Sequence, residues 1–193
     1  MKNKKTIAIV LLVVALLGLA VAFAALSTTL TINGSGLVDP DSWSIKFANL
    51  STADVKGSAV VTSPAVLTND TSITGYNVTL KAPGDSVTYT FDVVNEGDID
   101  AILTSLVKPA PTCTGKATDD AQKTADATLV ANNLVYTLVY TDTKAAVAED
   151  DTLDAGQSRN LTLTIGYSSS ATELPSDEVQ LSNMNIDFVY GQN

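Results

Sequence analysis

Apolar and polar residues alternate through most of this chain. Leu30, Ile32, Gly34, Gly36 and Val38 share one parity, with Thr31, Asn33 and Ser35 on the other. The two-residue period returns at Trp43, Ile45 and Phe47, and again at Tyr76, Val78 and Leu80. It is clearest at Val87, Tyr89, Phe91 and Val93, which alternate with Thr88, Thr90 and Asp92. Leu134, Tyr136, Leu138 and Tyr140 repeat it, followed by Leu161, Leu163, Ile165 and Tyr167, then Met184, Ile186, Phe188 and Tyr190. Successive side chains of a strand point to opposite faces, so each run predicts a strand with one dry face. With residues 55–61 and 99–107 added, the pattern gives about nine strands separated by turns, which predicts an all-β fold. The expected architecture is an antiparallel β-sandwich, jelly-roll or Ig-like, forming one domain over residues 27–193.

Turn chemistry punctuates the pattern. Ala82-Pro83-Gly84-Asp85 and Asn95-Glu96-Gly97-Asp98 bracket the clearest strand, and both suit a chain reversal. The second is expected to join antiparallel neighbours, residues 86–94 and 99–107, with Asp98 ending the turn by accepting from local backbone N–H groups. Pro83-Gly84-Asp85-Ser86 before one strand echoes Ala155-Gly156-Gln157-Ser158 before another, which suggests one strand in each half of the sandwich. Residues 112–133 break the alternation: they are polar and alanine-bearing, and either hold a short helix over 119–127 or form an excursion between strands. Residues 142–153 read as a second exposed loop. Trp43 and the tyrosines Tyr136, Tyr140, Tyr167 and Tyr190 fall at inward parity and are expected in the core, Trp43 in preference to a sugar-stacking role.

The N-terminus follows different rules. Lys2, Lys4 and Lys5 precede residues 7–26, which carry no charge and are apolar or small throughout. A basic head, an apolar run and small residues make an export signal. Ala22-Phe23-Ala24 offers cleavage after Ala24, and Ala20-Val21-Ala22 offers a second site. The run is also long enough to cross a bilayer as a hydrophobic helix, so residues 1–26 act as a signal peptide or a signal anchor. By the positive-inside rule both versions place the remainder outside, in the extracellular space or at the cell surface. Any membrane contact is expected through residues 7–26 alone.

Composition then removes whole classes of chemistry. The 193 residues hold 11 Lys+Arg against 21 Asp+Glu, a net charge of −10, and this excludes nucleic acid as a natural partner. There is no histidine, so His-ligated zinc and a Ser-His-Asp triad are excluded. No Gly-x-Ser-x-Gly elbow and no phosphate-cradling Gly-x-x-x-x-Gly-Lys occurs, and neither an enzymatic activity nor a cofactor is expected. The single cysteine, Cys113, allows no internal disulfide and reads as an incidental loop thiol. Glu149, Asp150, Asp151 and Asp154 are weak calcium candidates; the spacing of a calcium-binding loop is missing, and a solvated loop explains them as well. Glu96, Asp98 and Asp100 form a similar cluster. Asn49, Asn69, Asn77 and Asn160 each begin an Asn-x-Ser/Thr triplet, which fits an exported protein.

The Lys-headed signal, the alternating first strand, Pro83-Gly84-Asp85 before an aromatic strand, and Val94-Asn95-Glu96-Gly97-Asp98-Ile99-Asp100-Ala101 after it together resemble exported Gram-positive proteins of the TasA/camelysin type. The specific match spans residues 82–101. The resemblance implies a jelly-roll-like sandwich acting as an extracellular matrix or biofilm fibre subunit. Some members of that family are described as metallopeptidases, but no histidine or zinc motif is present here to carry that activity over. On that resemblance the alternating strand of residues 26–38 completes the sheet of a neighbouring copy, with Leu30 and Ile32 filling pockets; the alternative is that the same strand pairs within its own domain, as a first strand does in monomeric sandwiches. The expected partners are further copies of this chain, or other surface or matrix components. An adhesive or ligand-binding module is the alternative; an exposed aromatic on residues 112–133 or 149–154 would favour it, and those loops contain none.

Overall fold

The structure, a computed structural model, describes residues 9–13 and 42–193. Residues 9–13 are helical and exposed. Ala24, Leu30 and Ile32, together with most of the apolar run, lie outside the described residues. Among the described residues no helix is long and apolar enough to cross a membrane. The chain divides at Asp39, and every strand belongs to the second unit, Pro40–Asn193.

That unit is mostly β, and its sheets are antiparallel. A central sheet is built on two ten-residue strands. The first half of the chain supplies β1 (Ile45–Ala48), β2 (Asp54–Lys56), β3 (Val60–Ser63), β4 (Val66–Thr68), β5 (Ser72–Thr74), β6 (Asn77–Thr79) and β7 (Ser86–Asn95). There follow β8 (Ala101–Val107), β9 (Thr112–Gly115), the helix α1 (Asp120–Asn133), β10 (Leu134–Tyr140), β11 (Thr152–Leu153), β12 (Ser158–Tyr167), β13 (Val179–Ser182) and β14 (Asp187–Gln192). The central sheet has the order β1-β7-β12-β10, with β2 also paired to β7. A second sheet has the order β11-β8-β14, and the pairs β13-β9, β3-β6 and β4-β5 complete the set.

Alternation explains the centre directly. On β7 the odd positions Val87, Tyr89, Phe91 and Val93 are 0–4% exposed, while the Thr and Asp positions between them are not buried. Phe91 lies opposite Leu161, Tyr89 opposite Leu163 and Val87 opposite Ile165 on β12. Phe91, Leu161, Leu163 and Ile165 join one core with Ala101 and Leu103 of β8, Tyr136 and Leu138 of β10, and Leu153 of β11. Val87 and Tyr89 belong to a smaller cluster around Ala59. Fully burying one such side chain contributes about 1.5–3 kcal/mol, so the β7–β12 pair holds much of the fold.

Every predicted strand on the described residues is present, but those residues hold fourteen strands where the pattern gave eight, the ninth falling outside them. The extra ones are short: β4, β5, β9, β11 and β13 have two to four residues, too few to display a period. Residues 55–61 form two strands because Gly57 turns the chain at φ +73°, where a Cβ would stand 2.2 Å from Asp85 Oδ1. The echo between residues 83–86 and 155–158 does not separate two halves. It precedes β7 and β12, which are direct neighbours in one sheet.

Asn95-Glu96-Gly97-Asp98 is likewise not a hairpin: β7 and β8 belong to different sheets, and the segment is a corner between them. The buried Asn95 amide donates to the Ile99 and Leu153 carbonyls, and its oxygen accepts from Gly97 N–H. Asp98 bonds no local turn either; it accepts from the hydroxyl of Ser42 at 2.9 Å. A Cβ on Gly97 would lie 2.4 Å from the Ser42 carbonyl, so glycine is what allows this approach.

Residues 112–133 resolve into a strand followed by a helix. Asp119 caps α1, accepting from Gln122 N–H at 2.9 Å. The helix is six residues longer at its C-terminus than the sequence suggested, because it buries only Asp126 and Val130 and so lacks an apolar stripe. Asp126 instead fixes it by accepting from Gln122 and from the backbone N–H groups of Ser176 and Asp177. Cys113 is no loop thiol: it sits half-buried in β9 opposite Leu181 of β13.

Candidate functional site

A groove of mixed polar and aromatic lining runs between two edge strands, and a larger cleft of about 1000 Å³ lies elsewhere, lined by Tyr76, Val78, Val130 and Leu181 among others. β1 borders the central sheet and β14 borders the second sheet. Their side chains meet where the Phe47 ring stands edge-on to Phe91 at 5.5 Å and to Phe188 at 5.7 Å between centroids. Beside this contact a cleft of about 220 Å³ is lined by Trp43, Ile45, Phe47, Val93, Phe188 and Tyr190, among others. It shares Phe47, Thr71 and Phe188 with a larger cleft of about 480 Å³ that reaches Tyr76, Met184 and Ile186.

Trp43 corrects the sequence reading. It keeps inward parity with Ile45 and Phe47, yet it is 42% exposed. Parity assigned the correct face, but no described element covers that end of the face.

The walls are fixed by polar contacts. Tyr76 and Tyr136 both donate their hydroxyls to the Met184 carbonyl, anchoring the segment that leads into β14. Burial pushes the Tyr136 hydroxyl far above the ordinary phenol range, and the Tyr76 hydroxyl adds to the effect. At the far end Tyr140 donates to Asp151 Oδ2 at 2.8 Å, and the Arg159 guanidinium stands 5.9 Å from the Tyr140 ring. Tyr190 is pushed up to about 12, by burial first and by the Asp151 carboxylate second. Of these tyrosines Tyr76 and Tyr190 line the groove, and burial pushes both hydroxyls up. On the rim Lys46 and Glu96 pair at 2.7 Å; both are partly exposed, so the pair adds little stability.

The acidic candidates do not converge on one point. Glu149 accepts from Leu106 N–H, and Asp151 accepts from Tyr140 and from Ala148 N–H. Asp150 occupies a left-handed turn position at φ 71°, and the Asp154 carbonyl accepts from Gln157 N–H. Among the described residues no group of three or more His, Cys, Asp or Glu side chains could hold a metal ion. Asp100 is equally occupied, accepting from Ala155 N–H. Burial pushes the Cys113 thiol up, which lowers its thiolate fraction.

Two carboxylates that the sequence reading did not single out serve the scaffold. Asp85 of the Pro-Gly-Asp turn accepts from the backbone of Ser58, Lys81 and Ala82 and from the Ser58 hydroxyl. It is sealed from solvent. Burial favours its neutral form, yet these donors outweigh burial and hold the carboxyl below its usual range. Asp126 is held low mainly by Ser176 N–H, against the opposing effect of burial. An Asp after Pro-Gly was the available signal for the first; nothing in the polar helix pointed to the second.

The groove thus presents aromatic faces, two edge strands and hydroxyls, and among the described residues no nucleophile paired with a base lines it. It can accept an extended apolar segment or a stacked ring. Compared with protein-family models, with curated proteins and with solved structures, the chain matches none.

Proposed function

We propose that the chain is an exported, non-enzymatic structural protein of the cell surface or extracellular matrix, and that its strands form a jelly-roll or Ig-like β-sandwich. In this reading residues 1–26 direct export, with cleavage after Ala24 or retention as an anchor. The protein then works as a fibre subunit: the alternating strand around Leu30 and Ile32 of one copy enters the groove of the next. The observation that carries this reading is the open, aromatic-lined groove between the edge strands β1 and β14. An edge strand accepts a further strand through the backbone groups it leaves free, which on β1 do not include the Phe47 N–H, already bonded to the Asp70 carbonyl, and the aromatic pockets beside it read alternate side chains. Head-to-tail contacts of that kind do not close, and so they build filaments. The resemblance of residues 82–101 to the TasA/camelysin type supports the same reading, and the absence of histidine argues against the metallopeptidase variant.

Trp43 is the only tryptophan and lines the groove, which supplies a direct test. A peptide of residues 26–38 added to dilute full-length chain is expected to shift Trp43 emission to the blue in a saturable way. The same peptide carrying Leu30→Asp and Ile32→Asp is expected to have no effect. An emission spectrum indifferent to the native peptide at every concentration counts against strand acceptance.

The exposure of Trp43 also favours a second reading, an adhesive module that stacks a sugar ring on Trp43 beside Tyr190. Emission that responds to oligosaccharides and ignores the peptide selects this alternative.

A further inference from the structure

Four Asn-x-Ser/Thr triplets fall on the described residues, and the fold treats them very differently; a fifth, Asn33-Gly34-Ser35, lies outside them. At Asn49 the amide donates to Asp92 at 2.7 Å, and the hydroxyl of Ser51 accepts from Thr90 N–H at 2.9 Å. At Asn160 the amide also donates to Asp92, and the hydroxyl of Thr162 is bonded to that of Thr141 at 2.8 Å. Asn77, Val78 and Thr79 make up β6, and all three are held extended against β3.

Asn69-Asp70-Thr71 differs from the Asn49 and Asn160 triplets in its unbonded side chains. It differs from the Asn77 triplet, whose Asn77 and Thr79 side chains are also exposed and unbonded among the described residues, in lying outside any strand ladder. It forms the tip between β4 and β5, with Asn69 at φ 53° and Asp70 at φ 57°. Asn69 and Thr71 are both exposed. Among the described residues, neither the Asn69 amide nor the Thr71 hydroxyl makes a hydrogen bond.

We infer that Asn69 is a site of N-linked glycosylation on the folded chain, and that the fold withholds Asn49, Asn77 and Asn160. The co-reactant is a lipid-linked glycosyl diphosphate. Asn69 Nδ2 attacks the anomeric carbon and a C–N bond forms. The bond from that carbon to the phosphate oxygen breaks, the lipid diphosphate leaves with the electron pair, and Nδ2 gives up one proton. An amide nitrogen is a weak nucleophile because its lone pair is shared with the carbonyl, so the transferase must grip and twist the side chain. It must also reach the hydroxyl two residues on. An exposed turn with both side chains unbonded permits this, even with the Asp70 carbonyl accepting from Phe47 N–H at 2.6 Å, whereas a ladder strand or a bonded amide must first open.

Modification in cells requires the chain to reach the transferase's side of a membrane, and to that extent the inference rests on the export reading. A purified reaction does not, so the two can fail separately. The folded full-length chain, held in detergent, is incubated with a lipid-linked oligosaccharide and a transferase chosen because it glycosylates the isolated peptides spanning all four triplets. Peptide mass mapping is expected to find Asn69 occupied about ten-fold or more above each of the other three, since those must open locally first. Asn69→Gln and Thr71→Ala should each remove the added mass from this site while leaving the circular dichroism unchanged. Equal occupancy at Asn49, Asn77 or Asn160, or an unmodified Asn69, overturns the inference.

Discussion

Asp85 shows how much one side chain can hold. Its two oxygens gather the backbone of Ser58, Lys81 and Ala82, tying the turn before β3 to the turn before β7. Asp85→Ala leaves those donors without a partner and should cost about 2–3 kcal/mol, read as a lower midpoint in urea unfolding. The carboxyls of Asp85 and Asp126 both lie below the ordinary 3.8 when folded. Each binds fewer protons folded than unfolded. Their stabilisation is therefore complete above that ordinary value and fades as pH falls through the lower folded-state values. Acid titration of stability should show this loss in the native chain and a shallower one in Asp85→Asn. A native chain whose stability is flat below pH of about 4 contradicts the assignment. Of these residues, the sequence marked Asp85 as part of a turn but not as its anchor. The anchoring donors come from residues 27 positions away as well as from its neighbours, and local pattern carries no such information.

At the scale of elements, long strands were legible and short ones were not. β7 and β12 each repeat the period over ten residues, and their buried faces follow it. Leu163 sits at the centre of that pairing and faces the groove floor. Leu163→Ala should therefore cost about 2–5 kcal/mol in equilibrium unfolding. The corner at Asn95 was misread as a hairpin because its residues suit either shape; what decides is the buried bond from Asn95 to Leu153 on a distant strand. Gly97→Ala tests that corner. The added Cβ would press on the Ser42 carbonyl, and the change should cost about 1–3 kcal/mol and alter Trp43 emission. An unaltered spectrum and midpoint would mean that Ser42 is not held there. The helix α1 was only half-visible for a related reason: a polar helix fixed by a buried carboxylate has no apolar stripe to read.

For the whole molecule, the sequence placed Trp43 on the correct face and in the wrong environment. Parity specifies which side of a sheet a residue occupies; whether another element covers that side depends on where the sheets end. The groove between β1 and β14 lies at such an end, and the function we propose depends on what fills it. The export segment and the donor strand were read from residues 1–38, so the assembly must be tested on the full chain. The most direct measurement is the size distribution of the purified full-length protein, by light scattering with electron microscopy, for the native chain and for Leu30→Asp with Ile32→Asp. Filaments from the native chain and monomers from the double variant are the predicted result. A native chain that stays monomeric when concentrated, or a variant that polymerises equally well, contradicts the account.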